Sequence, residues 1–203
     1  MQGIKNVIFD LGGVILNINM KLMENALKEL GIDNVSEYIK TTGLASFFKE
    51  YEIGKISDED FITSIQSLSA TGVKKQAIID AWNILLLDYP EERLELLRSL
   101  KGKYRLFLLS NTNSLHHNEF QKRLFDQTGQ YMEDFFEKAY YSHTIGLSKP
   151  DTAAFEYVIE ENGLAPTETL FLDDSETNII GAQKAGLQTI HIKPGVTILD
   201  IKW

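Results

Sequence analysis

Three short apolar runs of the sequence each end in side chains that can do chemistry. Asp10 ends the first run, Ser110 and Asn111 follow the second, and Asp173 and Asp174 follow the third. In an open parallel sheet, ligands bind outside the carboxyl ends of the strands. We therefore predict that these side chains meet in one crevice.

Carboxylates that share a crevice repel one another, so the predicted crevice needs either a cation or raised carboxyl pKa values. Two unit charges ~4 Å apart cost roughly 4 kcal/mol at an effective dielectric constant of about 20. Oxygen ligands without sulfur or imidazole suit a hard cation. Because Mg²⁺ uses one or two carboxylates and leaves positions for water and phosphate, we predict Mg²⁺ as the cofactor.

Hydrogen-bond donors accompany the predicted cation. Ser110 and Asn111 bring a hydroxyl and an amide, and Lys149 lies in a loop that could reach the same edge. The backbone N–H groups of Gly12 and Gly13 have no side chain in the way and could form an anion nest. A metal ion among clustered donors describes a phosphate site, in which a carboxylate can attack phosphorus and form an aspartyl-phosphate.

The elements that must position these residues alternate between strands and helices. Apolar runs bounded by turn residues predict strands at residues 4–9, 104–109, 139–141, 169–172 and 188–192. Helical patterns with proline or capping residues at their starts cover residues 90–100, 151–161 and 175–185. This alternation predicts right-handed crossovers and a parallel sheet, which is an α/β, Rossmann-like core.

The segment between the first two predicted strands has no convincing strand pattern. It contains four or five helical patterns, at residues 20–30, 36–40, 44–51, 57–68 and 73–87. We interpret residues 17–87 as an all-helical cap domain inserted into a core domain of residues 1–16 and 88–203. Phe47, Phe48 and Trp82 are expected in the cap core, and Tyr51 and Glu52 lie on a cap turn that could overhang the crevice.

Composition excludes several classes of function. The chain has 203 residues, a net charge of −9 and no cysteine. An acidic chain without a basic patch is untypical of proteins that bind nucleic acid or an anionic membrane. The absence of cysteine excludes disulfides, thiolate zinc sites and a cysteine nucleophile. No apolar run is long enough to span a bilayer and no signal-peptide pattern is present, so we expect a cytoplasmic protein.

Four motifs together resemble those of the haloacid dehalogenase-like hydrolase superfamily. They are Phe-Asp-Leu-Gly-Gly-Val at 9–14, Leu-Ser-Asn at 109–111, Ser-Lys-Pro-Asp at 148–151 and Phe-Leu-Asp-Asp at 171–174. Their order and the helical insert between the first two match the superfamily. Asn-Thr-Asn at 111–113 and Gly-Lys-Ile-Ser at 54–57 resemble the branch of sugar-phosphate phosphatases that includes the α-glucose-1-phosphatase type.

The resemblance implies roles for the acidic residues. Asp10 would be the nucleophile and a metal ligand, and the backbone carbonyl of Gly12 would be a second ligand. Asp174 would bind the metal directly, and Asp173 directly or through water. Asn178, one helical turn after Asp174, could support these ligands, although an ordinary position on the helix surface is the favoured interpretation.

The resemblance also implies how the phosphoryl group is bound. Ser110 and Asn111 would hold it, and Lys149 would pair both with it and with Asp10, which keeps the nucleophile ionised. His116 follows this loop and could edge the crevice, but packing on a helix or the surface is the favoured interpretation.

The sequence departs from the superfamily pattern at Gly12. Most of its phosphatases carry an aspartate two residues after the nucleophile, which protonates the leaving group and then activates water. Such help is usually worth about 10²–10⁴-fold in rate. Either another group such as Glu52 supplies the proton, or a bound water does, or the protein is catalytically weak.

These observations favour a Mg²⁺-dependent phosphomonoester hydrolase of a small phosphorylated metabolite, with a sugar phosphate as the expected substrate. One alternative is a metal-independent 2-haloacid dehalogenase that uses the same Asp10. The pair Asp173 and Asp174 argues against it, because a metal-free site gains nothing from two further carboxylates. A phosphate-binding protein with little or no catalysis is a second alternative, supported by Gly12.

Overall fold

The computed structural model describes residues 1–32, 44–69 and 72–203. Its centre is a sheet of five parallel strands in the order β3-β2-β1-β4-β5. The strands are β1 (Asn6–Phe9), β2 (Arg105–Ser110), β3 (Lys138–Tyr141), β4 (Thr169–Asp173) and β5 (Gln188–His191). The predicted α/β sheet is therefore confirmed.

β1 is the central strand, and the order in which the chain adds strands to the sheet switches from one side of β1 to the other. β2 and β3 lie on one side of β1, and β4 and β5 lie on the other. Phe9 pairs with Leu108 of β2 and with Leu172 of β4, and the N–H of Asp10 donates to the carbonyl of Leu172 at 2.9 Å. The residues that follow these three strands are thus level with one another at one edge, where ligands of such sheets bind.

Helices cover both faces of the sheet. The helices that follow the insert are α5 (Glu91–Leu100), α6 (Ser114–Thr128), α7 (Ser142–Ile145), α8 (Thr152–Asn162) and α9 (Glu176–Lys184). Short 3₁₀ turns occupy Met132–Phe135, Pro166–Glu168 and Ile198–Asp200. Alternate strand residues face opposite sides, so Val7 and Phe9 join one hydrophobic cluster and Ile8 joins the other.

The insert between β1 and β2 is helical, as predicted. Its helices are α1 (Met20–Glu29), α2 (Leu44–Glu52), α3 (Asp58–Ser67) and α4 (Lys75–Asn83). Helix α4 ends at Asn83, four residues before the predicted end of this helix at residue 87. The predicted helix at residues 36–40 lies outside the described residues.

The two links of the insert run side by side. The N–H of Asn17 donates to Asp88 at 3.0 Å, the N–H of Leu87 donates to Asn17 at 2.9 Å, and the N–H of Asn19 donates to Leu85 at 2.8 Å. The larger hydrophobic cluster continues from the sheet into the insert. The division into a cap domain and a core domain stays a prediction.

Helix α6 lies in a stretch for which the sequence analysis named no helix. Asn113 caps its start, with Oδ1 accepting from the N–H of His116 at 3.0 Å. Gly129 ends it in a left-handed conformation (φ 72°). Both residues are signals that could have located the helix. None of the helices in the described ranges combines the length and the hydrophobicity that crossing a membrane requires.

Candidate active site

A buried ammonium group joins two carboxylates at the edge of the sheet. Lys149 Nζ donates to Asp10 Oδ1 at 2.6 Å and to Asp173 Oδ2 at 2.7 Å. All three side chains are buried, and Lys149 is only 2% exposed. Lys149 is therefore a buried residue at this edge of the sheet and not a solvated loop residue. Buried ion pairs are only weakly screened by solvent, so each of the three charged groups interacts strongly with the other two groups.

Asp174 completes a cluster with Asp10 and Asp173, in which one oxygen from each carboxylate lies within 4.8 Å of the others. In the described part of the chain, this is the one group of three acidic or histidine side chains close enough to share a metal ion. Asp174 is the exposed member of the cluster. The structure thus brings together the three carboxylates that the sequence analysis selected as metal ligands.

The pKa values in the cluster follow from burial and mutual repulsion. Burial raises the pKa of Asp10 to about 7; Lys149 opposes this rise, and Asp173 and Asp174 add to it. Although Asp174 as a residue is exposed, the desolvation of its carboxyl group by the surrounding cluster and the charge of Asp173 raise its pKa. Burial acts to lower the pKa of Lys149, but Asp10 and Asp173 together outweigh it, so this pKa is raised. The cluster therefore has the electrostatics of a cation site.

Asp173 is held by the first turn of α9. Asn178 Nδ2 lies 3.1 and 3.0 Å from the two carboxylate oxygens of Asp173, and the N–H of Ser175 donates to Oδ1 at 2.8 Å. With the bond from Lys149, both oxygens have partners. The favoured interpretation of Asn178 as an ordinary surface residue is therefore wrong. Asn178 lies in the first turn of α9 and its side chain is hydrogen-bonded to Asp173 at the end of β4.

Gly13 gives Asp174 the space that it occupies. A Cβ atom at Gly13 would lie 2.3 Å from Asp174 Oδ2, and its φ of 76° also favours glycine. The N–H of Gly13, however, donates to the carbonyl of Leu16 at 2.8 Å. The predicted anion nest is corrected at this residue, because its N–H group is already bonded within the turn.

Asn111 is bonded differently from the prediction. Its Oδ1 accepts from the N–H of Lys149 at 2.9 Å, and its Nδ2 donates to the carbonyl of Lys149 at 2.8 Å. The amide therefore fixes the backbone of Lys149 instead of pointing both polar atoms at a phosphoryl group. Ser110, the last residue of β2, is buried beside it.

The insert contributes Glu52, at the end of α2, to this region. Glu52 Oε1 accepts from Lys49 Nζ at 3.0 Å and from Asn111 Nδ2 at 3.3 Å. Lys49 also donates to the hydroxyl of Ser148. The carbonyl of Glu52 accepts from Ser142 Oγ at 2.7 Å. The turn after α2 is thus hydrogen-bonded to the loops that hold Lys149.

A cavity of about 310 Å³ lies between the insert and the ends of the strands, and its lining includes Gly12, Ser110, Asn111 and Glu52. His116 lies in its wall, stacked on Trp82 with ring centroids 5.1 Å apart. Burial lowers the pKa of His116 to about 4, so the ring is neutral. His116 thus lies in a helix, in line with the favoured interpretation, and it also lines the cavity, which was the less favoured alternative.

The fold and the cluster at its edge define a haloacid dehalogenase-like hydrolase. The model of that family matches residues 4–186, so the chain belongs to the family. The motifs at residues 9–14, 109–111, 148–151 and 171–174 all lie within the matched range.

Relatives of known activity and solved structures agree with this assignment. The chain is 29% identical to a D-ribitol-5-phosphate phosphatase of Bacteroides thetaiotaomicron over 95% of this chain and 93% of that protein. It is 28% identical to a sesquiterpene phosphatase of Aspergillus oryzae over 93% of this chain and 89% of that protein.

A similar solved structure is that of a haloacid dehalogenase family enzyme of Bacteroides thetaiotaomicron. Its TM-score is 0.88 at 38% identity, with 96% of each chain covered. The same enzyme has been solved in complex with magnesium and inorganic phosphate, at a TM-score of 0.86, 37% identity and coverage of 95% of this chain and 96% of that one. The resemblance to the α-glucose-1-phosphatase branch stays a prediction.

Proposed function

We propose that the protein is a Mg²⁺-dependent phosphomonoester hydrolase that acts on a small phosphorylated metabolite through an aspartyl-phosphate at Asp10. The observation that carries the proposal is the buried pair of Asp10 and Lys149 inside the cluster of three carboxylates. The relative solved with magnesium and phosphate and the relatives named as phosphatases support it.

The residues of the cluster fit a divalent cation. Asp10, Asp174 and the carbonyl of Gly12 would hold it, and Asp173 would act through water because its oxygens already accept from Lys149, Asn178 and Ser175. Carboxylate and carbonyl oxygens are the ligands that Mg²⁺ prefers. When bound, the cation supplies positive charge to the oxygens of the transferring phosphoryl group.

The reaction then follows from the positions of the protein's own groups. The carboxylate of Asp10 attacks phosphorus and forms an acyl phosphate while the ester oxygen leaves as the alcohol. Lys149 favours the ionised form of Asp10 and pairs with the phosphoryl oxygens, and the Ser110 hydroxyl donates to them. A water molecule then hydrolyses the acyl phosphate and releases inorganic phosphate. Glu52, which lines the cavity together with Gly12, is the candidate for protonating the leaving oxygen.

A metal-independent dehalogenase is less well supported by the site. Two solved dehalogenases share the fold at 20% identity and a TM-score of 0.63, and this similarity concerns the fold alone. Asp173 and Asp174 give such an enzyme no advantage. A sugar phosphate, which the motif resemblance predicts, remains one substrate to be compared with others.

The test is the release of inorganic phosphate from a panel of sugar, polyol, alkyl and aryl phosphates, with and without Mg²⁺. We expect Mg²⁺-dependent release that falls about 10³–10⁶-fold in Asp10→Asn, because the nucleophile is lost. Asp151→Asn is the matched control, because Asp151 caps α8 and asparagine caps helices equally well.

Each contrary result has a definite meaning. Equal activity in Asp10→Asn would refute the nucleophile. Halide release from chloroacetate without metal would favour the dehalogenase. Phosphate and Mg²⁺ binding without turnover of any ester would favour a non-catalytic phosphate-binding protein. The predictions of no nucleic-acid partner and of a cytoplasmic location stay predictions.

A further inference from the structure

The cavity lined by Leu11 and Gly12, the two residues that follow Asp10, has a predominantly apolar wall. Aliphatic and aromatic side chains from the link after β1, from the insert and from α6 form most of it, including Leu16, Ile18, Met23, Trp82, Leu86 and Phe120. Five of these six are buried, and Ile18 is partly buried. The volume of about 310 Å³ is at the lower end of the range of ligand pockets, roughly 300–1,000 Å³. The space suits a small ligand.

Polar side chains on the far wall are bonded to one another. His116 Nε2 lies 3.0 Å from the carbonyl of Trp82, and His116 Nδ1 lies 3.1 Å from Asn113 Nδ2. Asn113 Oδ1 accepts from the N–H of His116 at 3.0 Å and from Trp82 Nε1 at 3.4 Å. The ring nitrogens of His116 therefore have partners within the wall, and the neutral ring presents its apolar surface.

Two further polar side chains of the lining are also engaged. The Tyr51 hydroxyl donates to Asp58 at 2.8 Å, and the amide of Asn111 is bonded to the backbone of Lys149. Ser110 and Glu52, whose Oε1 accepts from Lys49 and Asn111, are the polar side chains of the lining on the side of Gly12. The cavity thus has a polar end at Gly12, two residues after Asp10, and an apolar body beyond it.

We propose that this cavity binds the leaving group of the substrate and selects an apolar alcohol, that is, a small alkyl, isoprenyl or aryl phosphomonoester in preference to a polyol or sugar phosphate. The inference rests on the proposed phosphatase function. The reaction is unchanged: the ester and water give the alcohol and inorganic phosphate. This specificity differs from the sugar phosphate that the motif resemblance predicts.

The expected preference for an apolar leaving group can be expressed as a ratio of binding affinities. Each methylene that moves from water into the apolar body contributes about a fourfold gain in affinity, equivalent to ~0.8 kcal/mol. A hydroxyl group placed there would lose its hydrogen bonds to water without gaining new ones, because the polar groups of the far wall are already hydrogen-bonded to one another. Such burial costs about tenfold or more in affinity per group.

The direct experiment measures binding with probes that the enzyme does not hydrolyse. Isothermal titration calorimetry of the Mg²⁺-loaded protein with n-alkylphosphonates, from methyl to hexyl, should show affinity rising about fourfold per methylene until the cavity is full. A polyhydroxylated pentylphosphonate should bind at least tenfold more weakly than pentylphosphonate. Affinity that does not change with chain length, or tighter binding of the hydroxylated probe, would overturn the inference.

A pair of variants on α1 tests the location. Met20 lines the cavity and Leu22 does not; both side chains are large, apolar and exposed, at 50% and 37%. Met20→Gln should weaken hexylphosphonate binding about fourfold or more and leave methylphosphonate unchanged, whereas Leu22→Gln should change neither. Equal effects of both variants would contradict the assigned cavity.

The outcomes separate this inference from the proposed function. A rising alkyl series without phosphate release from any ester would refute the phosphatase and support the apolar site. Phosphate release with a flat alkyl series would support the phosphatase and refute the apolar site. If no phosphonate binds, the inference falls.

Discussion

At the scale of single residues, the site is governed by a charge balance. When ionised, the three carboxylates of the cluster carry three negative charges, and Lys149 compensates one of them. The remaining two negative charges equal the charge of one divalent cation. Removing Lys149 or the cation leaves buried charge without compensation, which is much more costly than losing an exposed ion pair.

Gly13→Ala is the sharpest residue-level prediction. The new Cβ would lie 2.3 Å from Asp174 Oδ2 and must displace that carboxylate. We expect Mg²⁺-dependent phosphate release to fall about 10–100-fold, as for other changes that reorient metal ligands. Mg²⁺ titration followed by thermal unfolding provides a second measurement.

Gly3→Ala is the matched control for that variant. Gly3 has a similar positive φ of 81°, but nothing lies within 4 Å of its added Cβ. It should show the backbone strain of roughly 1–2 kcal/mol without the loss of activity. If both variants keep full Mg²⁺-dependent activity, the close approach of Gly13 and Asp174 has no functional importance.

The site residues differ in how far the sequence predicts them. Asp10, Asp173 and Asp174 could be found because each lies at the end of a strand or directly after it, and strand ends share one edge. The bonds of Asn111 and Asn178 could not, because an amide can donate or accept in several directions and its partner depends on the loop conformation. The roles assigned to all of these residues stay predictions until they are tested.

At the scale of elements, apolar runs predicted β1, β2 and β4 because buried parallel strands are continuously apolar. The edge strands β3 and β5 were also predicted, although they are less buried and less apolar. Helix α6 was missed because its apolar residues form no regular stripe in the sequence; two histidines and several charged residues interrupt them. The helix is nevertheless important for the site, since Asn113 caps it and His116 in its first turn lines the cavity. Capping residues carry this information better than hydrophobic periodicity does.

Gly181→Ala tests how α9 positions the loop of Lys149. In a helix interior this change normally stabilises by ~1 kcal/mol. Here the added Cβ would lie 2.2 Å from the carbonyl oxygen of Pro150, so we expect a lower Tm and lower activity. Thr177→Ala, at an exposed position of α9, should be neutral or slightly stabilising. A higher Tm for Gly181→Ala with full activity would show that the loop adapts freely.

At the scale of the whole molecule, acidity and the cluster together couple stability to Mg²⁺. The chain has a net charge of −9, and three of its carboxylates are crowded at one point. Any ligand that binds the folded state alone stabilises it by mass action. The cation is therefore expected to act on folding as well as on catalysis.

The pH dependence of this coupling has a definite sign. Asp10 has a folded-state pKa of about 7, above its ordinary value of 3.8, so without metal the folded protein binds a proton that the unfolded chain has released. Its contribution to stability is complete below about pH 4 and is lost as the pH rises through about 7. We expect the metal-free Tm to fall between about pH 5 and pH 8.

Mg²⁺ should reverse that loss. At about 100 times its Kd it should raise the Tm by roughly 5–10 °C near pH 8 and by less near pH 5. Asp174→Ala should respond much less than the wild type. A scanning calorimetry series over pH and Mg²⁺ gives both comparisons, and a wild-type Tm that ignores Mg²⁺ at high pH would refute the cation site.

The paired links of the insert have a consequence for how this protein can evolve. Because the chain leaves the sheet near Asn17 and returns beside the same point near Asp88, lengthening, shortening or exchanging the intervening helices leaves the order of the strands unchanged. A lineage can therefore acquire a new alcohol preference by altering one contiguous stretch of its gene, while the carboxylates stay where β1 and β4 place them.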